Sequence, residues 1–546
     1  MDMNIGKCIR WLWCASRGVR LAVAGIAFIG MGQVALSLFF VWICKLLVDI
    51  ATGHAQGRLE GYAGALLVCM GMQLALSALS TRLDSRTEID LRNRMRARLF
   101  NHLMESRWQG KECMHTGDML NRLVEDVSSV SAALCRSVPA VVVTVVQLGG
   151  ALYFLSRLDV RLAGVLLFIM PAALLLSKLY VRKMRQLSRD IKTAGSKVQS
   201  HLQEHLQHRV LIRTLEYTEH TGRTLSILQA DLRRKVMQRT DFSLYSRLMV
   251  QVGFSAGYAT AFLWGIFGLK DGSVTFGVMM AFLQLVSQVQ RPVVDFSRQI
   301  PAFIQVFTSV ERLAELYAIE LETKGKPVRL QGRLGLRMQG VDFAYSDSDR
   351  QVLRDFSYDF KPGSLTAIVG ETGAGKSTLI RLMLALLIPN KGNMVLYNEK
   401  QEVGISPLTR CNLSYVPQGN TLISGTIRDN LLLGNPKATD EDLREVLHTA
   451  VADFVYTLPE GLDTMCGEQG TGLSEGQAQR IAIARGLLRP GRVLLLDEPT
   501  SSLDVETEKL LLERIAARMG DKTLILITHR EVIAGLCTSV VRLDRK

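Results

Sequence analysis

The densest chemistry in the sequence is Gly370-Glu371-Thr372-Gly373-Ala374-Gly375-Lys376-Ser377-Thr378, which follows an apolar run at 365–369 and precedes an apolar periodic run at 379–388. GxxxxGK[ST] between a strand and a helix is a phosphate cradle. Its glycines let successive backbone N–H groups curl around phosphate, and the helix N-terminus adds partial positive charge. Lys376 offers a mobile point charge to the β- and γ-phosphates, and Ser377 a hydroxyl for Mg2+. A second apolar strand, 493–496, ends in Asp497 and Glu498. In-line phosphoryl transfer needs its charge neutralised and its nucleophile oriented, so Asp497 is placed to hold Mg2+ through water and Glu498 to polarise the attacking water. A third apolar strand, 523–528, delivers His529 to the same edge of a parallel sheet, where it serves either a ligand or the scaffold. Before these two strands, Thr471-Gly472-Leu473-Ser474-Glu475-Gly476-Gln477 reads as a small-residue turn ahead of a helix at 478–488. That helix start suits an anion, although nothing within one subunit needs a second one.

These residues all lie in the second part of the chain, and composition divides it from the first. Of 546 residues, 48% are hydrophobic, and the mean hydropathy is +0.17. Six apolar stretches, at about 21–44, 62–80, 138–156, 162–180, 248–269 and 274–290, are each long enough to cross roughly 30 Å of hydrocarbon as a helix. Residues 1–319 hold 37 Lys+Arg against 22 Asp+Glu, and 320–546 hold 28 against 29, so the excess positive charge lies in the hydrophobic part. The connections 81–137 and 181–247 carry 10 and 14 basic residues, whereas 45–61, 157–161 and 270–273 carry 2, 2 and 1. The positive-inside rule then makes the long connections and both termini cytoplasmic. Residues 1–20, with Lys7, Arg10, Arg17 and Arg20 among Trp11 and Trp13, read as an interfacial helix; no small-residue cleavage site follows.

The long connections are themselves helical in pattern. Leu91, Met95, Leu99 and Leu103 recur every four residues, and a helix from Tyr62 to about Ser106 would measure roughly 67 Å, about twice the bilayer core. Thr116-Gly117-Asp118, before Leu120, Leu123 and Val127, reads as a turn and a short transverse helix at a hairpin tip; Glu204 to Glu216 marks the second tip. Pro171 is expected to kink the fourth span. The predicted spans contain no acidic residue, and Lys178 lies at a cytoplasmic end, so coupling to an ion gradient is disfavoured. Gln284 and Gln288, one turn apart on the last span, either line a polar path or hydrogen-bond between helices. Nine cysteines, with no CxxC, fit a reducing compartment, and a nucleic-acid binder would carry its basic surplus on a soluble face.

Residues 340–535 resemble the nucleotide-binding domain of ATP-binding-cassette transporters, and 1–319 resemble the six-helix membrane domain of the exporter branch. The resemblance implies a multidomain fold: an all-α transmembrane domain (1–319), then an α/β P-loop NTPase domain (320–546). Leu473–Gln477 resembles the family's LSGGQ signature, whose Ser and second Gly, here Ser474 and Gly476, contact the γ-phosphate held by the opposite subunit, with Gln477 completing the motif. Gln418 in Tyr415-Val416-Pro417-Gln418 resembles the glutamine that reaches Mg2+ and senses the membrane domain. Asp504 in Ser501-Ser502-Leu503-Asp504 resembles the D-loop, and His529 the switch histidine that completes the catalytic set with Glu498. Tyr345 resembles the aromatic that stacks on adenine, its other reading being sheet core. Thr116-Gly117-Asp118 resembles the first coupling helix, and 466–470 the segment before the signature. Glu475 departs from the family glycine, yet Ser474 and Gly476 remain, so activity is expected. The chain stops 17 residues after His529, short of the family's usual final helix, and no peptidase domain precedes the first span.

The family implies ATP and Mg2+ as cofactors, a second copy or a homologous half-transporter as partner, and a multi-pass protein of the cytoplasmic (inner) membrane with its nucleotide-binding domain in the cytoplasm. Its cargo is expected to be an amphipathic or apolar lipid, peptide or drug-like molecule moved by alternating access. A soluble ATPase of DNA repair or translation is opposed by the six spans; an ATP-gated channel or regulator would use the same site.

Overall fold

The computed structural model describes residues 5–107, 116–158, 160–345, 351–467, 472–499, 503–530, 534–535 and 537–543. His115, 468–471, Ser501 and Ser502 lie outside them. The chain divides into two compact units, Met1–Met104 with Thr116–Ala318, and Glu105–His115 with Ile319–Lys546.

The first unit is helical. A short α1 (Ile5–Ala15) precedes α2 (Arg20–Ala51) and α3 (Leu59–Met104), the latter 46 residues long, as the four-residue recurrence predicts: Leu91, Met95 and Leu99 are buried along one face. Helix resumes with α4 (Thr116–Asn121), α5 (Val127–Ala132) and α6 (Val138–Leu158), joined by π turns at Arg122–Asp126 and Ala133–Ser137. This corrects the expected short transverse helix. The helix that starts at Thr116 continues into the span because Val127, Val130, Leu134 and Cys135 keep an apolar face buried. Then come α7 (Val160–Gln207), which runs through Pro171 without interruption, α8 (Arg209–Thr214) at the second tip, α9 (Thr218–Lys270) and α10 (Phe276–Tyr317).

Among the described residues, Arg20–Ala51, Leu59–Met104, Asp118–Arg157 and Gln251–Lys270 are long and apolar enough to cross a membrane, and Phe276–Val289 is a shorter apolar stretch. Outward-facing Leu21, Phe28 and Leu74 are 91%, 73% and 72% exposed, which suits lipid rather than water as their solvent. Val34, Leu38 and Val41 of α2 pack with Ala151 and Leu155 of α6, Ala261 of α9, and Phe282, Leu285 and Val286 of α10. Close approach there needs glycine: a Cβ on Gly30 would lie 2.3 Å from a Val143 methyl. One acidic side chain is buried beyond the expected end of the first span. Asp49, in the last turn of α2, lies so close to the first turn of α10 that a Cβ on Gly277 would sit 2.4 Å from its Oδ1. The positive end of α10 offsets part of that charge.

Charged residues tie the start of the α4–α6 helix to α10. Arg122 donates to Asp118 Oδ2 (2.9 Å), to the Arg312 carbonyl (2.7 Å) and to Glu315 (2.8 Å), while Arg312 reaches Asp118 Oδ1 (2.7 Å).

The second unit carries the sheets. The strands are β1 (Gly335–Ala344), β2 (Gln351–Phe360) and β3 (Leu365–Gly370), then, after α11 (Lys376–Met383), β4 (Lys391–Tyr397), β5 (Glu402–Gly404), β6 (Leu413–Val416) and β7 (Gly425–Thr426). Next come α12 (Ile427–Leu432), α13 (Asp440–Thr449), β8 (Met465–Cys466), α14 (Glu475–Leu488), β9 (Val493–Asp497), α15 (Val505–Met519), β10 (Thr523–Ile527) and β11 (Ser539–Leu543). An antiparallel sheet runs β2-β1-β4-β5, and a parallel one β11-β3-β10-β9-β6. Every residue of β9 and β10 is buried, as strands covered on both faces require. Two of the expected helices move. The helix after the cradle spans Lys376–Met383 rather than 379–388, and α14 starts at Glu475 rather than 478, because Ser474 and Gln477 cap it reciprocally.

Candidate functional site

The parallel order places the ends of β3, β9 and β10 side by side, so the cradle, Asp497-Glu498 and Thr528-His529 emerge at one sheet edge. The cradle turns through Gly373 (φ +85°) and Gly375 (φ +96°), left-handed backbone that favours glycine. A Cβ on Gly375 would also meet Val352 Cγ1 at 2.9 Å. Gly375 is the N-cap of α11, and no side chain caps the helix there, which leaves its first N–H groups to a phosphate. Lys376 is 6% exposed, and its ammonium donates to the carbonyls of Gly370 (2.7 Å) and Glu371 (3.0 Å). Burial pulls its pKa down, against the opposing pull of Glu498 and Asp497. A cation held on its own loop's carbonyls is one that incoming phosphate oxygens can claim.

Asp497 is 4% exposed at the end of β9. Burial is the main cause raising its pKa and Glu498 the next, opposed by Tyr415, Arg381 and the Ser377 hydroxyl. The Tyr415 hydroxyl donates to its Oδ2 at 3.4 Å, and burial followed by the Asp497 charge pushes the phenol's own pKa up. Among the described residues no group of three or more His, Cys, Asp or Glu side chains converges to hold a metal. Asp497 with Ser377 is instead an oxygen donor set of the kind Mg2+ takes when substrate phosphates and water complete its shell.

Glu498 holds φ +45°, rare for a residue with a side chain and costing on the order of 1–3 kcal/mol. Three groups hold it: its N–H donates to the Ile527 carbonyl (3.2 Å), Gln479 Nε2 donates to its carbonyl (3.0 Å), and its carboxylate is gripped on both oxygens. Gln418 Nε2 donates to Oε2 at 2.7 Å, and His529 Nε2 lies 2.5 Å from Oε1. A carboxylate fixed this way beside Lys376 and Asp497 can accept a proton from a water aligned with a bound phosphate.

Lys376, Gln418 and His529, all singled out by sequence, thus meet around Glu498 and Asp497, beside Ser377. Tyr345 lies at the cradle helix, its hydroxyl 3.0 Å from Thr378 Oγ1 and its ring edge-on to Phe343. Ser474, Gly476 and Gln477 form a separate cluster: Gln477 N donates to Ser474 Oγ (3.2 Å) and Ser474 N to the Gln477 amide oxygen (2.9 Å). Among the described residues, none of these three hydrogen-bonds Lys376, Asp497, Glu498 or His529. Glu475, at the first position of α14, is exposed. Asp504 caps α15, taking the Thr507 N–H (2.9 Å) and hydroxyl (2.8 Å), and these bonds hold its pKa down. Sequence reasoning missed Gln479, fully buried in α14; a lone amide among Ala478, Ile481 and Ala482 was its signal.

Two family descriptions match the chain, 'ABC transporter transmembrane region' over residues 23–293 and 'ABC transporter' over 353–501. The chain belongs to the ABC transporters. This ABC chain is 29% identical over 442 residues to a Staphylococcus aureus protein provisionally named a multidrug export ATP-binding/permease protein, covering 80% of this chain and 76% of that one. It is 30% identical over 519 residues to a serine protease/ABC transporter B family protein of Dictyostelium discoideum, covering 93% of this chain but 29% of that longer one. A solved bacterial Atm1-family ABC exporter with ATP bound shares the fold, with a TM-score of 0.82 at 22% identity, covering 96% of this chain and 94% of that chain. The family makes this ABC protein a multi-pass membrane ATPase coupled to transport, with ATP bound by the second unit.

Proposed function

We propose that this chain is half of an ATP-driven exporter, in which two copies, or one copy and a homologous half, bind two ATP·Mg2+ and drive alternating access. The observation that carries this reading is that, among the described residues, the Ser474 turn makes no hydrogen bond to the residues around the phosphate cradle. The cradle, Asp497, Glu498, Gln418 and His529 form one half of a site; the Ser474 turn at the start of α14 is left for nucleotide held by another copy. Lys376 and Ser377 bind the β/γ-phosphates and Mg2+, Asp497 and Gln418 complete the metal's surroundings, Glu498 aligns the attacking water, and His529 holds Glu498. Tyr345 faces the adenine, and Asp504 contributes through the D-loop. Both termini and the soluble unit face the cytoplasm of an inner membrane.

The cargo is amphipathic or apolar, and the drug-export name of the Staphylococcus relative agrees with this. In the membrane unit Gln288 Nε2 donates to Ser37 Oγ at 2.8 Å, while the side-chain oxygens of Gln284 and Gln288 are buried without a hydrogen-bond partner. These oxygens accept from a hydroxyl or amide on the cargo. The Asp49 carboxylate lies at the start of α10, whose positive end offsets part of its charge, while its Oδ1 is buried without a hydrogen-bond partner.

The test mixes a Lys376→Ala chain with a Ser474→Arg chain, each inactive alone. One intact site per mixed dimer should restore ATPase. A mixture no more active than its parents, despite proven subunit exchange, refutes head-to-tail pairing.

A further inference from the structure

We propose that Arg530 and Glu508 form a latch that sets His529 against Glu498, which makes Arg530 a positioning residue for ATP hydrolysis. The proposal rests on the reading of Glu498 and His529 given above. Glu508 is 2% exposed in α15. Its Oε2 receives the Arg530 guanidinium, and its Oε1 is buried without a hydrogen-bond partner. The other cations of α15 are engaged elsewhere: Lys509 with Glu513, Arg514 with Asp453, and Arg518 with Glu445. Arg530 is therefore the one cation that answers this buried carboxylate among the described residues.

Three further contacts give the pair a direction. The second terminal nitrogen of Arg530 reaches the Leu503 carbonyl at 3.4 Å, immediately before Asp504 caps α15, and the Arg530 N–H donates to Thr528 Oγ1 at 3.1 Å. Glu508 N in turn donates to the Asp504 carbonyl at 3.0 Å. One guanidinium thus joins the start of α15 to the segment that carries His529. His529 directly precedes Arg530, so a change at the Arg530 anchor reaches the histidine through a single planar peptide unit, and the His529 contact with Glu498 is 2.5 Å. Only the Glu508 end of the pair is buried, the Arg530 side chain being 40% exposed, and apolar residues of similar volume often serve a buried ion-pair site as well or better, so the pair is not needed for stability alone.

The test compares Arg530→Met, Arg530→Lys and the double variant Arg530→Met/Glu508→Leu in the full-length protein in lipid nanodiscs, reading kcat, KM for ATP and the thermal midpoint. Arg530→Met should lose about 10–100-fold in kcat, the scale of an ångström-sized misplacement, with KM within about threefold. Arg530→Lys should recover part of that rate. The double variant removes the uncompensated charge, so it should recover wild-type thermal stability yet stay slow. A stably folded double variant with wild-type kcat overturns the latch, as does a loss confined to KM, and an unfolded double variant would assign the pair to folding. Glu498→Gln separates the two levels: if it hydrolyses normally, the site reading fails; if it is dead while the double variant is fast, only the latch fails.

Discussion

Replacing Glu498 by Gln keeps side-chain volume and the left-handed backbone of the residue, so the strain at φ +45° is common to both forms and cancels. What changes is the carboxylate that faces Gln418 Nε2 at 2.7 Å and His529 Nε2 at 2.5 Å. A carboxylate accepts from both; a carboxamide has one acceptor oxygen, so one contact must become donor facing donor or invert. The amide also cannot take a proton from water. Loss of such a base costs roughly 10²–10⁴-fold in rate, or about 2.7–5.5 kcal/mol at 1.36 kcal/mol per decade. Binding moves the other way. Glu498 is one of the two charges pulling on Lys376, and neutralising it frees that cation for phosphate while removing a negative neighbour of the nucleotide. The variant should therefore retain ATP at least as tightly as wild type while releasing phosphate at a hundredth of the rate or less. Phosphate release and retention of radiolabelled ATP on the purified protein read both quantities. Turnover within about threefold of wild type would refute the assignment.

Three further outcomes follow from the same geometry. Lys376→Ala should weaken nucleotide binding itself, measured with a fluorescent ATP analogue, and unchanged affinity would exclude Lys376 from the phosphate site. The Asp497 carboxyl has a pKa raised above the ordinary 3.8, so the fold loses stability as pH rises through 3.8 and the raised value, and at neutral pH bears the whole penalty. Asp497→Asn should accordingly raise the thermal midpoint of nucleotide-free protein at pH 7, with the gain vanishing below the ordinary carboxyl pKa, while Mg2+-dependent ATPase is lost. Substituting Gln284 and Gln288 together by Leu should alter cargo-stimulated ATPase and leave basal ATPase nearly intact; unaltered stimulation, or a compact polycation as cargo, would count against the proposed cargo contact.

The parts of this molecule set by short-range rules were legible before any coordinates. The cradle needs a strand, a glycine turn and a helix in fixed order, and the ends of β9 and β10 announce themselves as fully apolar runs that stop at Asp497 and His529. What escaped depends on tertiary packing. Nothing in the local pattern shows that Glu498 adopts a left-handed backbone, because that conformation is imposed by Ile527 and Gln479 from neighbouring elements. The π turns that carry the helix from Thr116 into α6 were hidden for a similar reason: a Thr-Gly-Asp turn signal competes with the apolar face formed by Val127, Val130 and Leu134, and burial wins. Asp49 was missed because the expected span stops before Lys45, whereas the helix runs on to Ala51 and brings the carboxylate beside the first turn of α10.

The brevity of the connections between paired helices bears on how the protein reaches the bilayer. α2 and α3 are separated by residues 52–58, and α9 and α10 by 271–275. On the proposed topology these two segments, like 157–161, must travel across the membrane, and neither is long enough to contain a folded body. Each pair can therefore enter lipid as a single hairpin, with its arginine-rich open end left behind as a brake on transfer. A synthesis error that lengthened 52–58 or placed several lysines there would act before folding, by reversing a hairpin, and would produce misoriented chain rather than an inactive transporter.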